Sequence, residues 1–339
     1  MNLSICIPTY NRANYLFQLI NSICEQIDDE INDVVEIIVS DNCSSDNTKE
    51  LIYSVKKDNP NINIHYFCNE KNVGADQNFV NSVKRASGKY AWIIGSDDVL
   101  RENSLKRILK EIENGYAVIL SNRLNKNIDF TIDLGISYFF KKEIADSITI
   151  ELKNNEDWIM YFWLCNSIGG VCSYLSSFVF NRELFLSSTD YEPYLGSCYV
   201  HVYMIMKGLL SKNNPVIKII SDPFIINRSG NDSFYKTPFQ RFILDFNGYI
   251  FISNIFEDYL VRCAFLDVLK REHPIIPLKV CLFANKNERQ MLISNYKKLG
   301  YSEIVVELMD SILKHKVACV LLLLKKIYKS IIRRIKAKL

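Results

Sequence analysis

Short apolar runs alternate with amphipathic helical segments through the first hundred residues, and no other feature of the sequence constrains the fold as strongly. Four of these runs have the length and composition of buried strands, at residues 3–7, 34–39, 62–68 and 90–94. Between them, apolar side chains recur at helical spacing over residues 14–26, 48–57 and 76–86. Because each helix returns the chain to the same end of the sheet, this order predicts an α/β fold with a doubly wound, mostly parallel sheet.

Each of these predicted strands is followed by a polar loop. The loops cover residues 8–12, 41–46, 69–76 and 95–98. In an open parallel sheet, ligands bind beyond the carboxyl ends of the strands. We therefore expect the four loops to line one binding site.

Beyond residue 101 the pattern is less regular. It predicts helices at 102–114, 156–166 and 199–210, strands at 117–121, 177–180 and 216–226, and hairpin-like material up to about residue 140. Residues 239–270 are helical in pattern, and 273–300 are helical after Pro277. The sequence thus predicts a helical C-terminal region after the sheet.

Charge and cysteine usage narrow the class of protein. The formal net charge is +3, which is too small to indicate a nucleic-acid-binding fold. The ten cysteines are scattered and form no CxxC pair, as expected of free thiols in a reducing compartment. No signal-peptide pattern follows Met1, and the longest apolar run, 317–324, is much shorter than the roughly 20 residues that span a bilayer. We therefore expect a cytoplasmic protein.

The basic residues concentrate at the C-terminus. Residues 314–339 contain nine lysines or arginines and no acidic residue, whereas the rest of the chain has 32 basic against 38 acidic residues. An apolar block with basic residues at helical spacing is typical of a helix that lies on an anionic membrane. Residues 312–339 are thus predicted to be a basic amphipathic tail that touches the inner face of the cell membrane. A partner-binding helix and a solvated terminus are the alternatives.

Two adjacent carboxylates, Asp97 and Asp98, follow the fourth predicted strand. Like charges so close raise each other's pKa unless a cation neutralises them. A divalent ion such as Mn²⁺ or Mg²⁺, completed by phosphate oxygens, would do so. The alternative is a helix N-cap, in which Ser96 or Asp97 accepts from free amides before Leu100.

Four segments in order resemble family 2 glycosyltransferases with the GT-A fold. They are SICIPTYNR (4–12), IIVSDNCSSDNT (37–48), NVGADQN (72–78) and ASGKYAWIIGSDD (86–98). Within that family, the chain is similar to abequosyltransferase-like enzymes of surface polysaccharide biosynthesis. The resemblance covers residues 1–100 well and the rest loosely.

The resemblance implies a function and a domain plan. Residues 1–235 would be the GT-A domain, with a Rossmann-like nucleotide-sugar-binding half at 1–100 and an acceptor-binding half at 101–235. Residues 236–311 would be the helical extension. Such an enzyme moves a sugar from a nucleoside-diphosphate-sugar donor to a hydroxyl of a glycan or lipid-linked saccharide, as in O-antigen or capsule assembly. Inversion at the anomeric carbon and dependence on a divalent metal are implied as well.

The resemblance also implies roles for individual residues. Those assigned to the nucleotide sugar are Pro8, Thr9, Tyr10, Arg12, Asp41, Asp76, Asn78, Ser96 and Arg228. Asp97 would bind the metal and the diphosphate. Members of the family usually carry an Asp two residues before the metal ligand, where this chain has Gly95, so Asp98 would have to compensate or the metal would be held more loosely. For Asp41 and Asp46 the alternative is a turn or helix cap, which we prefer for Asp46.

The catalytic base is expected just before a helix in the second half. Asp190, Glu192 and His201 are the candidates, and His201 lies closest to the family position. A histidine with an ordinary pKa near 6.5 can accept a proton at neutral pH. The alternative for His201 is a partly buried helix residue whose ring is already hydrogen-bonded.

Two other functions are considered. One is a noncatalytic nucleotide-sugar-binding or scaffold protein of polysaccharide assembly, suggested by Gly95 and the uncertain base. The other is a nicotinamide-dependent dehydrogenase, which the missing GxGxxG turn after the first strand disfavours.

Overall fold

The structure, a computed structural model, describes residues 1–142, 144, 146–231, 238–273 and 285–315. Its strands are β1 (Leu3–Thr9), β2 (Val35–Asp41), β3 (Ile64–Cys68), β4 (Tyr90–Ile93), β5 (Val99–Leu100), β6 (Val118–Ser121), β7 (Arg123–Lys126), β8 (Asp133–Ser137), β9 (Ser147–Glu151), β10 (Phe178–Asn181), β11 (Val216–Ile220) and β12 (Ile225–Arg228). Its α-helices are α1 (Ala13–Cys24), α2 (Asp29–Asn32), α3 (Thr48–Asp58), α4 (Ala75–Lys84), α5 (Ser104–Ile112), α6 (Asn155–Leu164), α7 (Arg182–Leu186), α8 (Val200–Ser211), α9 (Pro238–Ile252), α10 (Tyr259–Glu272), α11 (Lys286–Lys298) and α12 (Glu303–His315).

The central sheet has the order β3-β2-β1-β4-β10-β6-β11-β9. Strand β1 is parallel to β2 and to β4, and β2 is parallel to β3. Strand β10 is antiparallel to both of its neighbours, and β9 is antiparallel to β11. The predicted α/β fold with a mostly parallel sheet is therefore confirmed.

Helices cover both faces of this sheet. Along β1, Leu3, Ile5 and Ile7 pack in the core beneath α1, α3 and α5. Cys6 belongs to the second core, which α4, α6 and α8 help to form. Burial on both faces explains why β1 reads as a continuous apolar run. Each fully buried Leu or Ile contributes about 1.5–3 kcal/mol relative to an exposed one.

A smaller sheet of order β5-β12-β7-β8 lies at the carboxyl edge of the parallel strands. It corrects one expectation, because residues 216–226 were predicted as a single strand. They form β11 in the central sheet and β12 in the smaller one. Pro223 lies between the two strands, and a proline cannot donate to a β-ladder.

The C-terminal region is helical, with a second correction. The predicted helix at 239–270 is two helices, α9 and α10, separated by a 3₁₀ turn at Ser253–Ile255. Asp258 begins α10 by accepting a hydrogen bond from the backbone N–H of Val261. Asn285 similarly caps α11. Residues 274–284 and the tail from 316 to 339 lie outside the described residues, so the membrane contact of the tail and the domain boundaries stay predictions.

Among the residues that the structure describes, no helix combines the length and the apolar character needed to cross a membrane.

Helix α8, which carries His201, packs closely against α7. At Gly208 a Cβ atom would lie 2.3 Å from the carbonyl oxygen of Leu184. This separation is far below van der Waals contact, so only glycine allows the two helices to approach this closely.

We therefore expect Gly208→Ala to destabilise the protein by roughly 1–3 kcal/mol, although alanine is the better helix former by about 1 kcal/mol. Urea unfolding measures the change. Lys207→Ala, at the exposed neighbouring position, is the control and should change stability by less than about 0.5 kcal/mol. Equal stability of the Gly208→Ala variant and the original chain would show that the helices can separate freely.

Candidate active site

A cavity of about 680 Å³ opens at the carboxyl edge of the parallel strands. The loops after β1, β4 and β12 line it, together with the β7–β8 hairpin and the start of α8. The far wall comes from the C-terminal helices, through Arg241 of α9 and Glu272 of α10. The helical region thus contributes to the same cavity as the polar loops.

A larger groove, of about 1260 Å³, lies between α9, α10 and α11. None of the described residues that line it is acidic, and it contains neither Asp97 nor His201. The smaller cavity therefore contains the candidate catalytic and metal-binding residues.

Asp98 is buried at the floor of the cavity. Its Oδ2 accepts hydrogen bonds from the hydroxyls of Tyr174, at 2.6 Å, and Ser176, at 2.5 Å. Burial, and then the neighbouring negative charge of Asp97, raise the pKa of Asp98 to about 7. One carboxylate of the pair is thus easily protonated when no cation is present.

Asp97 lies closer to solvent and faces basic and amide groups. Its Oδ2 is 3.0 Å from the Arg12 guanidinium and accepts a 2.7 Å hydrogen bond from the side-chain amide of Asn231. The alternative that Ser96 or Asp97 caps a helix is wrong, because β5 follows and α5 begins only at Ser104. Ser96 is buried and lines the cavity.

The two carboxylates fit a divalent cation that is completed by the substrate. Mg²⁺ and Mn²⁺ take oxygen ligands, commonly from one or two carboxylates and from phosphates. Within the described residues there is no group of three or more His, Cys, Asp or Glu side chains placed to hold a metal. Phosphate or water oxygens would therefore have to provide most of the coordination.

Gly95 stands where family members usually carry the additional Asp. A Cβ at this position would lie 3.2 Å from Asp97 Oδ1 and 3.3 Å from Asp98 Oδ2. Both distances are tight, and an aspartate would bring a third negative charge into the same space. The glycine therefore leaves room at the carboxylate pair that a longer side chain would fill.

Arg228 makes contacts within the protein that hold one wall of the cavity. Its guanidinium lies over the rings of Tyr15 and Phe130 and is almost completely buried. It donates to the backbone oxygens of Asp97 and Ile128 and to the side chain of Gln18. These contacts hold the Asp97 loop, so direct phosphate binding by Arg228 stays a prediction.

The loop after β1 is fixed to the loop after β2. Asn11 has a left-handed backbone (φ 51°), its N–H donates to Ser44 Oγ, and its side chain accepts from the N–H of Ser45. Pro8 lines the cavity, while Tyr10 is 45% exposed. Thr9 is buried, and its hydroxyl has no partner among the described residues.

Asp41 and Asp46 both shape these loops. Asp41 accepts from the N–H and hydroxyl of Ser44 and from the hydroxyl of Tyr66, at 2.6 Å. Asp46 accepts from Thr48 and from the N–H of Ala13, which confirms the turn that we preferred for it. Asp41 therefore also forms a turn, which was the alternative to nucleotide binding. Contact of Asp41 with the base or the ribose of a nucleotide stays a prediction.

Asp76 and Asn78 are buried. Asp76 Oδ2 accepts from the N–H of Cys198, just before α8, and burial raises the pKa of this carboxyl. Asn78 is hydrogen-bonded through both ends of its amide, to Ser40 and Asn69. These bonds join Asn78 to the loop network, and the sugar contact that the resemblance implies for it stays a prediction.

Of the three candidate bases, only His201 lines the cavity. Asp190 is exposed and accepts from the hydroxyl of Tyr203, which lowers the pKa of Asp190, and Glu192 is exposed as well. Neither contributes to the cavity wall, so their role as base finds no support in the cavity and stays a prediction. The polar segment before α8 turns its carboxylates to solvent, an orientation that sequence order does not show.

His201 is 2% exposed, and its ring is stacked on that of Phe178. Its Nε2 lies 3.2 Å from the backbone oxygen of Ser173, and its Nδ1 has no partner among the described residues. Burial lowers the pKa of the imidazole to about 4, so the ring is neutral at pH 7 with a lone pair on Nδ1. The alternative interpretation of His201, a buried helix residue whose ring is already hydrogen-bonded, therefore holds for Nε2 but not for Nδ1.

Three cavity residues were missed by sequence reasoning. They are Tyr174, Ser176 and Arg123. The hydroxyls of Tyr174 and Ser176 both donate to Asp98, and Tyr174 also contacts Asn227. The guanidinium of Arg123 lies 4.4 Å from the ring centre of Tyr174. The segment around Tyr174 has no helical or strand periodicity, so no sequence signal points to it.

Comparison with known proteins identifies the family. Residues 4–162 match the family model described as glycosyl transferase family 2. Abequosyltransferase RfbV of Salmonella typhimurium is 35% identical over 90% of this chain and 92% of its own length. The chain belongs to glycosyltransferase family 2. It is therefore a glycosyltransferase.

Two further comparisons concern shorter or more distant similarity within the family. GalNAc(5)-diNAcBac-PP-undecaprenol beta-1,3-glucosyltransferase of Campylobacter jejuni is 36% identical over 36% of this chain and 38% of its own. The structure of S. aureus TarS 1–349 in complex with UDP-GlcNAc superimposes with a TM-score of 0.63 at 18% identity, covering 88% of this chain and 80% of that one. This likeness confirms the GT-A fold.

The buried histidine predicts a pH dependence of stability. Unfolded His201 takes up a proton near pH 6.5, whereas the folded residue does so only near pH 4. The unfolded state therefore binds more protons between these values, and stability falls as the pH falls through that window. We expect His201 to account for a loss of about 2 kcal/mol between pH 8 and pH 5.

Urea unfolding of the original chain and of His201→Gln, each at pH 8 and at pH 5, tests this. The variant should show a smaller pH dependence by about that amount. The same difference between the two pH values in both proteins would contradict the burial of a neutral imidazole.

Proposed function

We propose that this family 2 enzyme transfers a sugar from a nucleoside-diphosphate-sugar donor to a hydroxyl of a lipid-linked glycan during surface polysaccharide assembly. The observation that carries the proposal is the Asp97–Asp98 pair facing Arg12 in a cavity at the carboxyl edge of the sheet. The name of the Campylobacter relative describes an acceptor on undecaprenyl diphosphate, which supports the lipid-linked class.

The donor diphosphate would lie against Asp97 and Arg12. A divalent cation at the carboxylates would supply positive charge that stabilises the departing nucleoside diphosphate. Arg12, whose guanidinium already lies at this position, is placed to bind a phosphate oxygen through charge-assisted hydrogen bonds. Asp98 is held by the hydroxyls of Tyr174 and Ser176 and keeps the pair rigid.

The acceptor would enter beside His201. The hydroxyl oxygen of the acceptor forms a bond to the anomeric carbon of the donor sugar, as the bond from that carbon to the diphosphate oxygen breaks. The proton of the acceptor hydroxyl passes to Nδ1 of His201. His201 lines the cavity and its neutral Nδ1 has no partner among the described residues, which supports this role; the atom itself is buried, so binding of the acceptor would have to expose it. The family resemblance supports inversion at the anomeric carbon.

We expect Asp97→Asn to lower kcat by roughly 10²–10³-fold, because the amide removes the negative charge that would hold the cation and orient Arg12. The measurement is nucleotide release from the donor in the presence of Mn²⁺ and acceptor. Asp58→Asn, on the exposed end of α3, is the charge-matched control and should keep full activity. An Asp97→Asn enzyme that is folded and fully active would contradict the proposed site.

His201→Gln should lower kcat by about 10²-fold with little change in the KM for the donor, since the residue would act on the acceptor proton. Steady-state kinetics at pH 7.5 with saturating acceptor measure both parameters. His65→Gln, which changes a histidine on β3 away from the cavity, is the control. An unchanged kcat in His201→Gln would exclude this residue as the base and return it to a packing role.

A further inference from the structure

Strand β8 presents apolar side chains to solvent, at alternate positions along the edge of the smaller sheet. Ile132, Leu134, Ile136 and Tyr138 are 58%, 56%, 37% and 47% exposed. The strand is irregular here, because its pairing with β7 shifts register and Gly135 has a left-handed backbone (φ 88°), but the four exposed side chains still follow one another over about 20 Å as a single apolar stripe. We call this stripe the β8 face.

The end of this hairpin forms part of the cavity wall. Ser137 and Tyr138 line the cavity, Ser137 lies opposite Arg123, and Asn125 donates to the hydroxyl of Ser137. A sheet with one buried face normally turns its apolar side chains inward. Here four apolar side chains are exposed instead, an arrangement that is typical of an interaction surface.

Aromatic and basic residues continue the β8 face at its end near the cavity. Trp163 and Met160 of α6 are 53% and 54% exposed. The Nζ of Lys141 lies 2.8 Å from the centre of the Trp163 ring, and the Nζ of Lys142 lies 5.7 Å from that of Tyr138. Backbone hydrogen bonds from Lys141 to Leu164 and from Asn166 to Phe139 join the segment that follows β8 to the C-terminal end of α6.

We propose that the β8 face, with Trp163, Lys141 and Lys142, contacts an anionic lipid bilayer. Exposed tryptophan and tyrosine beside lysines is the composition found at membrane interfaces, where the rings sit among headgroups and the ammonium groups reach phosphates. Lysine is depleted at protein–protein interfaces, so this charge favours a membrane over a second copy of the chain. Asp133 of β8 is also exposed, and its carboxylate accepts a hydrogen bond from the N–H of Gly135.

This surface would position the acceptor. Tyr138 belongs to the β8 face and also lines the cavity, so a bilayer at that face lies at the cavity entrance. A saccharide on a lipid carrier could then reach Asp97 while its lipid stays in the membrane. This consequence rests on the proposed lipid-linked acceptor, whereas the membrane contact itself does not.

The test uses tryptophan fluorescence of the full chain with vesicles of phosphatidylethanolamine and phosphatidylglycerol that carry brominated acyl chains. The other two tryptophans, Trp92 and Trp158, are 0% and 6% exposed, so quenching by bromine reports on Trp163. We expect quenching in the original chain, and none in Trp163→Phe, which should still sediment with the vesicles. Sedimentation with vesicles but without quenching would place the contact elsewhere, such as the basic tail, and would overturn the proposal.

A pair of charge substitutions provides the matched control. Leu134→Glu should lower the partition of the protein onto these vesicles by about tenfold, because it puts a carboxylate into the lipid contact. Leu260→Glu, at a 62% exposed position of α10, should leave it unchanged. Equal effects of the two changes, or no binding to the vesicles at all, would refute the membrane contact.

Two further outcomes separate the alternatives. A concentration-dependent dimer that Leu134→Glu abolishes, in a protein that vesicles do not quench, would assign the β8 face to a second copy and overturn the proposal. Asp97→Asn should be quenched like the original chain, because lipid binding requires no catalysis. Failure of the membrane test would therefore leave transfer to a water-soluble acceptor unaffected.

Discussion

The pairing of β1 with both β2 and β4 is the constraint on which the active site depends. Strand β1 is parallel to both neighbours, through Thr9 opposite Asp41 on one side and Cys6 opposite Ile93 on the other. Strands that run side by side in one direction end at the same edge, so the loops after them have to meet. The ion pair between Arg12 and Asp97 joins two of these loops and follows from this arrangement.

The same edge explains how two adjacent carboxylates are tolerated. Asp97 is paired with a guanidinium, while Asp98 is bonded by hydroxyls and is easily protonated. A third carboxylate would have neither a guanidinium nor hydroxyl donors to stabilise it. This agrees with the presence of Gly95 at the position where the family usually has Asp. The site is thus charge-balanced without a donor, and a phosphate-bound cation would replace contacts that the protein now makes with itself.

The sequence predicted well those parts of the fold and of the site that are marked by a local pattern of residues. The alternation of strands and helices to residue 121, and the residues at the ends of the first and fourth strands, follow from periodicity and from motif order. The second half depends on tertiary contacts that periodicity does not encode. Asp190 matched a polar segment before a helix but faces solvent, whereas Tyr174, in an irregular segment, reaches Asp98. Pro223 marks the break between β11 and β12, but the apolar residues around it masked that signal.

Release of the nucleotide from the donor is the decisive measurement for the Asp97 cavity. Purified protein is incubated with UDP-, GDP-, CDP- and dTDP-sugars, with and without Mn²⁺, and with a saccharide acceptor on a short lipid. We expect one class of donor to release its nucleotide, and we expect release at the full rate to require both Mn²⁺ and the acceptor. A protein that binds none of these donors and releases no nucleotide under any of these conditions would contradict the assignment of the Asp97 cavity as a donor site.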